Sequence, residues 1–126
     1  MIKYLYIAAG GAAGTMCRYF VAGFAQRLVG SSFPIGTFTV NMAGCFLFGF
    51  VTSFFENRIG MTAELRLMLL TGFMGAFTTF STYMFESVNL VKNGQWTLAA
   101  LNMGGQTALG FMCIMLGLAL GRLAFS

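Results

Sequence analysis

Long stretches without a charged residue most strongly limit what this chain can fold into. Residues 28–55 and 93–121 contain no Asp, Glu, Lys or Arg, residues 67–85 form a third such stretch, and residues 4–26 carry only Arg18. A hydrocarbon core about 30 Å thick needs about 20 residues of helix to cross it. The sequence therefore predicts an all-α membrane protein with four transmembrane helices, near residues 4–26, 33–55, 67–91 and 96–120.

The segments between these spans are short, so the whole chain, residues 1–126, is predicted to form a single transmembrane domain. Pro34 lies where a helix can begin without losing a needed backbone donor. The connection over residues 56–66, "ENRIGMTAELR", carries four of the ten charges and is expected to lie in water. Residues 92–95 are expected to form a tight polar turn.

The basic residues are dispersed along the chain, which favours membrane flanks over a nucleic-acid surface, and no nucleic-acid partner is predicted. An even number of spans places both termini on one side of the bilayer. The side of the termini would hold four basic residues and the other side two: Lys3, Arg58, Arg66 and Arg122 against Arg27 and Lys92. This weak bias is compatible with cytoplasmic termini and also with insertion in both orientations, which would allow an antiparallel dimer.

Two pairs of glycines at a spacing of four suggest close helix packing. They are Gly10 with Gly14 and Gly117 with Gly121, and the chain has 17 glycines in all. Small residues at this spacing let helix backbones approach closely in a membrane. The sequence leaves open whether each pair packs inside one subunit or between two subunits.

Polar side chains recur at helical spacing inside the predicted spans. Thr37 and Asn41 lie four residues apart in the second span, and Asn102 and Gln106 lie four apart in the fourth. Residues four apart share one face of a helix, and a polar group facing lipid is costly without a partner. These stripes indicate either hydrogen bonds that hold the bundle together or, with the threonine-rich third span, a hydrophilic path.

The charges inside the spans indicate that such a path would conduct an anion and not a cation. Among the three acidic residues only Glu86 falls in a span, near the end of the third, because Glu56 and Glu64 belong to the second connection. A cation pathway through hydrocarbon usually employs intramembrane carboxylates. Neutral donors suit an anion, as would Arg18 if it faces a vestibule.

The stretch "GFMGAFTTFSTY" at residues 72–83 predicts an interruption of the third helix. Gly75 and the consecutive Thr78 and Thr79 weaken helical hydrogen bonding, although a continuous helix remains an alternative. A break would free carbonyl oxygens that can hold a cation and N–H groups that favour an anion. Phe80 and Tyr83 then share a face, and their positive ring edges can touch a small anion.

Several function classes compete at this point. The chain has no His and all three of its acidic residues are Glu, so it lacks a recognisable catalytic set and no enzyme is predicted. A small proton-coupled multidrug-type transporter has a similar size, but it needs a glutamate in the first span, and residues 4–26 contain no acid. A noncatalytic membrane scaffold subunit, held in its complex by polar side chains, is the remaining alternative.

Several motifs together resemble the Fluc family of bacterial fluoride channels, also called CrcB-type proteins. They are "GTFTVN" at residues 36–41 with Gly44 after it, "GFMGAFTTFSTY" at 72–83 with Glu86 after it, and "GAAGTMCRY" at 11–19. The resemblance covers essentially the whole chain. It implies a fluoride-selective channel in the bacterial inner membrane that exports fluoride passively and so protects the cytoplasm from its toxicity.

The resemblance also implies an assembly and a set of site residues. The expected assembly is an antiparallel, dual-topology homodimer with a third helix broken mid-membrane, where the backbone carbonyls of Gly75 and Thr78 bind a structural sodium ion that is not transported. The fluoride pathway that the resemblance implies comprises Asn41, the aromatic pair Phe80 and Tyr83, the hydroxyl track Ser81 and Thr82, and Glu86. Thr37 and Gln106 are added to the expected pathway because helical spacing places them on the polar stripes of the second and fourth spans. Position 83 is commonly Phe in this family, so the Tyr83 hydroxyl is a departure.

Overall fold

The computed structural model describes residues 1–57 and 62–125, and these ranges are helical apart from short connections. Arg58, which entered the charge count above, lies outside the described residues. Five helical segments follow one another: α1 Ile2–Val29, α2 Ile35–Asn57, α3 over residues 63–77, α4 Phe80–Lys92 and α5 Trp96–Phe125. Segments α3 and α4 together replace the predicted third span. The predicted all-helical fold is confirmed.

Among the residues that the structure describes, three segments are long and apolar enough to cross a membrane, namely Ile35–Glu56, Ala63–Lys92 and Trp96–Phe125. They correspond to the second, third and fourth predicted spans. The first predicted span is present as the 28-residue helix α1, but it is not among these three. Helix α1 carries Lys3, Arg18 and Arg27, which lower its hydropathy.

The connection between α1 and α2 is organised by one glutamine side chain. Gly30 ends α1 in the left-handed conformation, with φ 60°. Gln26 then donates through Nε2 to the carbonyl oxygens of Ser31 (2.9 Å) and Phe33 (3.2 Å), and its Oε1 accepts from the Gly36 N–H (3.1 Å). One of the N–H groups that the start of a helix leaves without a helical partner is thus satisfied by a neighbouring helix. Helix α2 begins directly after Pro34, as predicted.

Helix α1 packs against α3 through glycines on both helices. A Cβ atom at Gly10 would overlap the carbonyl oxygen of Met68, and one at Gly14 would overlap that of Phe73. From the other side, a Cβ at Gly72 would come within 2.7 Å of the Ile7 carbonyl oxygen. The α3 residues in this contact lie in or beside a π-helical stretch, Leu67–Met74. Within the described chain, α1 and α3 therefore approach with backbone against backbone.

Helix α2 packs along α5 in the same manner. A Cβ at Gly117 would overlap the Phe46 carbonyl oxygen, and one at Gly121 would lie 2.6 Å from the Ser53 Cβ. Both glycine pairs identified in the sequence thus serve packing inside one subunit. The question left open by the sequence is decided in favour of intrasubunit contacts for these two pairs.

Candidate functional site: the interrupted third span

The third span is interrupted at two consecutive threonines. Thr78 (φ −85°, ψ 157°) and Thr79 (φ −149°, ψ 113°) are extended, between the end of α3 at Phe77 and the start of α4 at Phe80. The Thr79 Oγ1 accepts from the N–H of Thr82 at 3.3 Å and so caps α4. The predicted break is present, and because Gly75 keeps helical angles (φ −62°, ψ −34°) it falls at the threonines and not at the glycine.

Asn41 satisfies the backbone that the break exposes. Its Oδ1 accepts from the Thr79 N–H at 2.9 Å, and its Nδ2 donates to the Thr79 carbonyl oxygen at 3.2 Å. The side-chain amide therefore pairs with both backbone groups of Thr79, as a neighbouring strand would. Since Thr79 is only 8% exposed, these groups would otherwise be buried without partners at a cost of about 1–3 kcal/mol each.

Asn41 is also one end of a chain of side-chain hydrogen bonds. Its Nδ2 donates to the Gln106 Oε1 at 2.7 Å, and the Gln106 Nε2 donates to the Asn102 Oδ1 at 2.9 Å. The Asn102 Nδ2 donates to the Ser87 Oγ at 2.9 Å, and the Ser87 hydroxyl donates to the Tyr83 carbonyl oxygen at 2.8 Å. The stripes predicted on the second and fourth spans thus meet each other and connect α2, α5 and α4.

A groove of about 410 Å³ opens on one side of the break. We call it the first groove; its lining includes Asn41, Phe48, Thr79, Phe80, Tyr83 and Gln106. The rings of Phe80 and Tyr83 lie 5.6 Å apart between centroids, at an angle of 57°. The Tyr83 hydroxyl donates to the Met103 carbonyl oxygen of α5 at 3.2 Å, so it serves to hold the ring in place.

A second groove of about 520 Å³ lies between α1, α2 and α4. We call it the second groove; its lining includes Arg18, Arg27, Thr37, Thr79, Thr82 and Glu86. The Thr37 hydroxyl donates to the Glu86 Oε1 at 2.7 Å. The other carboxylate oxygen, Oε2, is buried and has no hydrogen-bond partner among the residues that the structure describes. With two arginines and one glutamate among these lining residues, basic side chains are in excess.

Comparison with known proteins agrees with this architecture. The family model described as CrcB-like protein, Camphor Resistance (CrcB), matches residues 5–118. The chain belongs to the CrcB family. A protein of Maridesulfovibrio salexigens named fluoride-specific ion channel FluC is 68% identical over the full length of both chains. Proteins of the same name from Nitratidesulfovibrio vulgaris and Nitrosococcus oceani are 53% and 47% identical, over 98% and 96% of this chain and 99% and 97% of their own.

In this CrcB-family chain the predicted pathway residues divide between the two grooves. Four line the first groove: Asn41, Phe80, Tyr83 and Gln106. Three line the second groove: Thr37, Thr82 and Glu86. The eighth, Ser81, is exposed on the outside of the subunit and is not among the lining residues of either groove.

Two residues central to this arrangement carried no sequence signal strong enough to single them out as site residues. Thr79 was identified only as part of the helix break, yet it lines both grooves. Ser87 lies four residues after Tyr83 and, at 1% exposure, is almost completely buried. Its spacing from Tyr83 was the one available hint, because residues four apart share a helix face.

The backbone at the break fits the oxygen ligands that a hard cation requires. In an unbroken helix the Gly75 carbonyl would accept from the Thr79 N–H and the Thr78 carbonyl from the Thr82 N–H. Both donors are used elsewhere, by Asn41 and by the Thr79 hydroxyl oxygen respectively. Hard cations are bound by carbonyl oxygens of this kind, so Gly75 and Thr78 are the residues that would hold one.

Proposed function

We propose that this chain is a fluoride-selective channel through which fluoride leaves the cell passively, so that cytoplasmic fluoride stays low. Relatives that cover nearly the whole chain are named fluoride-specific ion channels, and membership of their family makes the chain a multi-pass membrane channel and not an enzyme. The single structural observation that carries the proposal is that Thr79, at the helix break, lines both grooves.

The two grooves occupy successive depths of the helix bundle. Along α2, Thr37 lines the second groove, Asn41 the first, and Phe48 lies furthest along in the first. At 1.5 Å per residue, the distance from Thr37 to Phe48 is about 16 Å of helix, roughly half of a 30 Å hydrocarbon core. The two grooves, which share Thr79 in their lining, would together offer a path through about half of the hydrocarbon core.

The lining along this path suits a small, strongly hydrated anion. The Gln106 Nε2 donates one hydrogen bond to Asn102, and an amide nitrogen carries two N–H groups, so a second donor remains for the first groove. Phe80 and Tyr83 add positive ring edges. A narrow site with several short donor contacts can replace the water of fluoride, whereas a larger halide fits it poorly.

The second groove provides the electrostatic attraction. Arg18 and Arg27 lie in its lining, and a cleft lined mainly by one sign of charge raises the local concentration of counter-ions. The acidic residue in that lining, Glu86, has one oxygen engaged by the Thr37 hydroxyl. We therefore assign the second groove as the vestibule through which the anion reaches the break.

The proposed assembly is an antiparallel, dual-topology homodimer in the bacterial inner membrane. Phe80 is 74% exposed and Phe85 66% exposed in one subunit, and Gly75 and Ser81 of the same span are exposed as well. A second subunit that covers this face would bring Ser81 to a pathway and would enclose the outer side of Phe80. The weak charge bias across the membrane permits both orientations.

The proposed sodium ion is structural and is held by the backbone carbonyls of Gly75 and Thr78. Gly75 is exposed at the surface of the subunit, where a carbonyl from a second subunit could join it. The ion would satisfy carbonyl oxygens that the break deprives of helical donors, which in a membrane would cost several kcal/mol each.

The direct test is anion efflux from liposomes that contain only this purified protein. Vesicles loaded with fluoride and given a potassium shunt should empty rapidly, whereas matched vesicles loaded with chloride should retain their anion. Equal rates for the two anions would contradict the selectivity, and no efflux of either anion would favour a noncatalytic membrane subunit.

A further inference from the structure

We propose that Ser87 and Asn102 are positioning residues that, together with Asn41, hold the Gln106 amide so that it presents an N–H group to the first groove. The inference rests on the proposed function, because an N–H at this place attracts an anion and a carbonyl oxygen repels it. Neither Ser87 nor Asn102 touches the path itself. They are 1% and 0% exposed, whereas Gln106 lines the first groove.

The direction of the hydrogen-bond chain is set at its Thr79 end by the backbone. The Thr79 N–H can only donate, so the atom of Asn41 that faces it at 2.9 Å must be the oxygen. The Asn41 nitrogen then faces Gln106 at 2.7 Å, which requires the Gln106 oxygen at that position. The Gln106 nitrogen is consequently directed toward Asn102, at 2.9 Å from its Oδ1.

The other end of the chain imposes the same direction independently. The Tyr83 carbonyl can only accept, so Ser87 uses its single proton to donate to it at 2.8 Å. The Ser87 oxygen must then accept, and it does so from the Asn102 Nδ2 at 2.9 Å. The Asn102 oxygen is therefore left for Gln106. A reversed amide would place oxygen against oxygen or N–H against N–H at its links to its neighbours.

This chain of hydrogen bonds uses only one of the two N–H groups of the Gln106 amide. Among the residues that the structure describes, the Gln106 Nε2 has no hydrogen-bond acceptor other than Asn102, so its second N–H is available to the first groove. Removing the Ser87 hydroxyl would free Asn102 to rotate its amide. Gln106 would then be held by Asn41 alone, and its Nε2 would no longer be fixed beside the first groove.

The test combines Ser87→Ala with the double variant Ser87→Ala/Asn102→Leu, both assayed as fluoride efflux per reconstituted dimer. The double variant removes the Ser87–Asn102 hydrogen bond without leaving either of these two side chains unsatisfied, and it also removes the acceptor of the Gln106 Nε2. We expect either change to reduce fluoride efflux about tenfold, the value of one well-placed hydrogen bond. The control is Thr52→Val, because Thr52 makes the same type of bond to a carbonyl four residues earlier, that of Phe48, at 2.7 Å; its efflux should be unchanged.

A double-mutant cycle with Gln106→Leu separates positioning from general stability. If Ser87 acts through Gln106, then Ser87→Ala should produce no further loss of efflux in the Gln106→Leu background. Equal losses in both backgrounds would overturn the inference, as would wild-type efflux in Ser87→Ala and in the double variant. A wild-type protein that conducts no fluoride would refute the proposed function and this inference together, whereas a conducting wild type with an insensitive Ser87 would refute the inference alone.

Discussion

Replacing Asn41 by Asp tests the helix break and the pathway with one nearly isosteric change. The Asp side chain keeps an oxygen to accept from the Thr79 N–H, which Asn41 does at 2.9 Å. It places a second oxygen where the Asn41 Nδ2 now donates to the Gln106 Oε1 at 2.7 Å and to the Thr79 carbonyl at 3.2 Å. Two attractive contacts therefore become contacts between oxygen atoms.

The size of the effect differs between folding and conduction. A lost buried hydrogen bond costs about 1–3 kcal/mol in general and about 0.6 kcal/mol on average between membrane helices, so the two lost bonds should cost about 1–6 kcal/mol of stability. A carboxylate about 5 Å from a fluoride ion adds about 3 kcal/mol of repulsion at an effective dielectric of 20. That repulsion corresponds to a reduction in flux of a few hundred-fold. Conduction should thus fail while the protein still folds.

The assay is fluoride efflux per amount of reconstituted protein, measured beside the midpoint of thermal unfolding in detergent. The control is Asn93→Asp, which makes the same chemical change in the exposed turn after α4 and should conduct normally. If Asn41→Asp conducted fluoride at the wild-type rate with wild-type stability, Asn41 would neither line the path nor hold the break.

Four further predictions concern the aromatic pair, the ion, the topology and the packing. Phe80→Ile should suppress fluoride efflux in a protein that still purifies as a dimer, because an aliphatic side chain has no positive edge. The control is Phe85→Ile, which should conduct because Phe85 is an exposed residue of the same helix outside the lining of both grooves. Normal efflux in Phe80→Ile would show that the Phe80 ring is not part of the path. Replacing sodium on both sides of the membrane by a large organic cation should slowly abolish fluoride efflux, and adding sodium back should restore it. Unchanged efflux after exhaustive removal of sodium would argue against a structural sodium ion. A single cysteine at Asn93, in a background without native cysteines, should be labelled from both sides of the membrane, and labelling from one side would refute dual topology. Gly117→Leu should lower the unfolding midpoint, because a Cβ there overlaps backbone and the free energy of unfolding should fall by at least about 1–3 kcal/mol. The control Gly104→Leu, with nothing within 4 Å of its Cβ, should leave the midpoint unchanged. Equal midpoints for the two variants would contradict the α2–α5 packing.

The helices could be predicted from the sequence because their signals are local. Uncharged length predicted the helices, three of which are long and apolar enough, within the described residues, to cross a membrane. Pro34 predicted the start of α2, and the polar turn before Trp96 is present, with Gly94 at φ 72°. The π-helical stretch Leu67–Met74 could not be predicted in this way. It lies where the α3 backbone meets Gly10 and Gly14 of α1, a tertiary contact for which the residues of α3 themselves give no sign.

The site could be predicted in part, for a similar reason. Helical spacing identified Asn41 and Gln106 as polar residues on shared faces, and the consecutive threonines identified the break. That Asn41 would pair with the backbone of Thr79, 38 residues away, depends on how α2 meets the break, which spacing within one helix does not encode. The role of Ser87 was missed for the same reason, since its partner Asn102 belongs to another helix.

The measurement that tests the central claim most directly is the reversal potential of current through this protein in a planar bilayer. With fluoride at a tenfold gradient and chloride equal on both sides, a fluoride-selective channel should reverse close to the fluoride equilibrium potential, about 59 mV from zero. Passive conduction also requires the current to persist without a proton gradient. A reversal potential near zero under the fluoride gradient, or a current that follows a chloride gradient instead, would contradict the account.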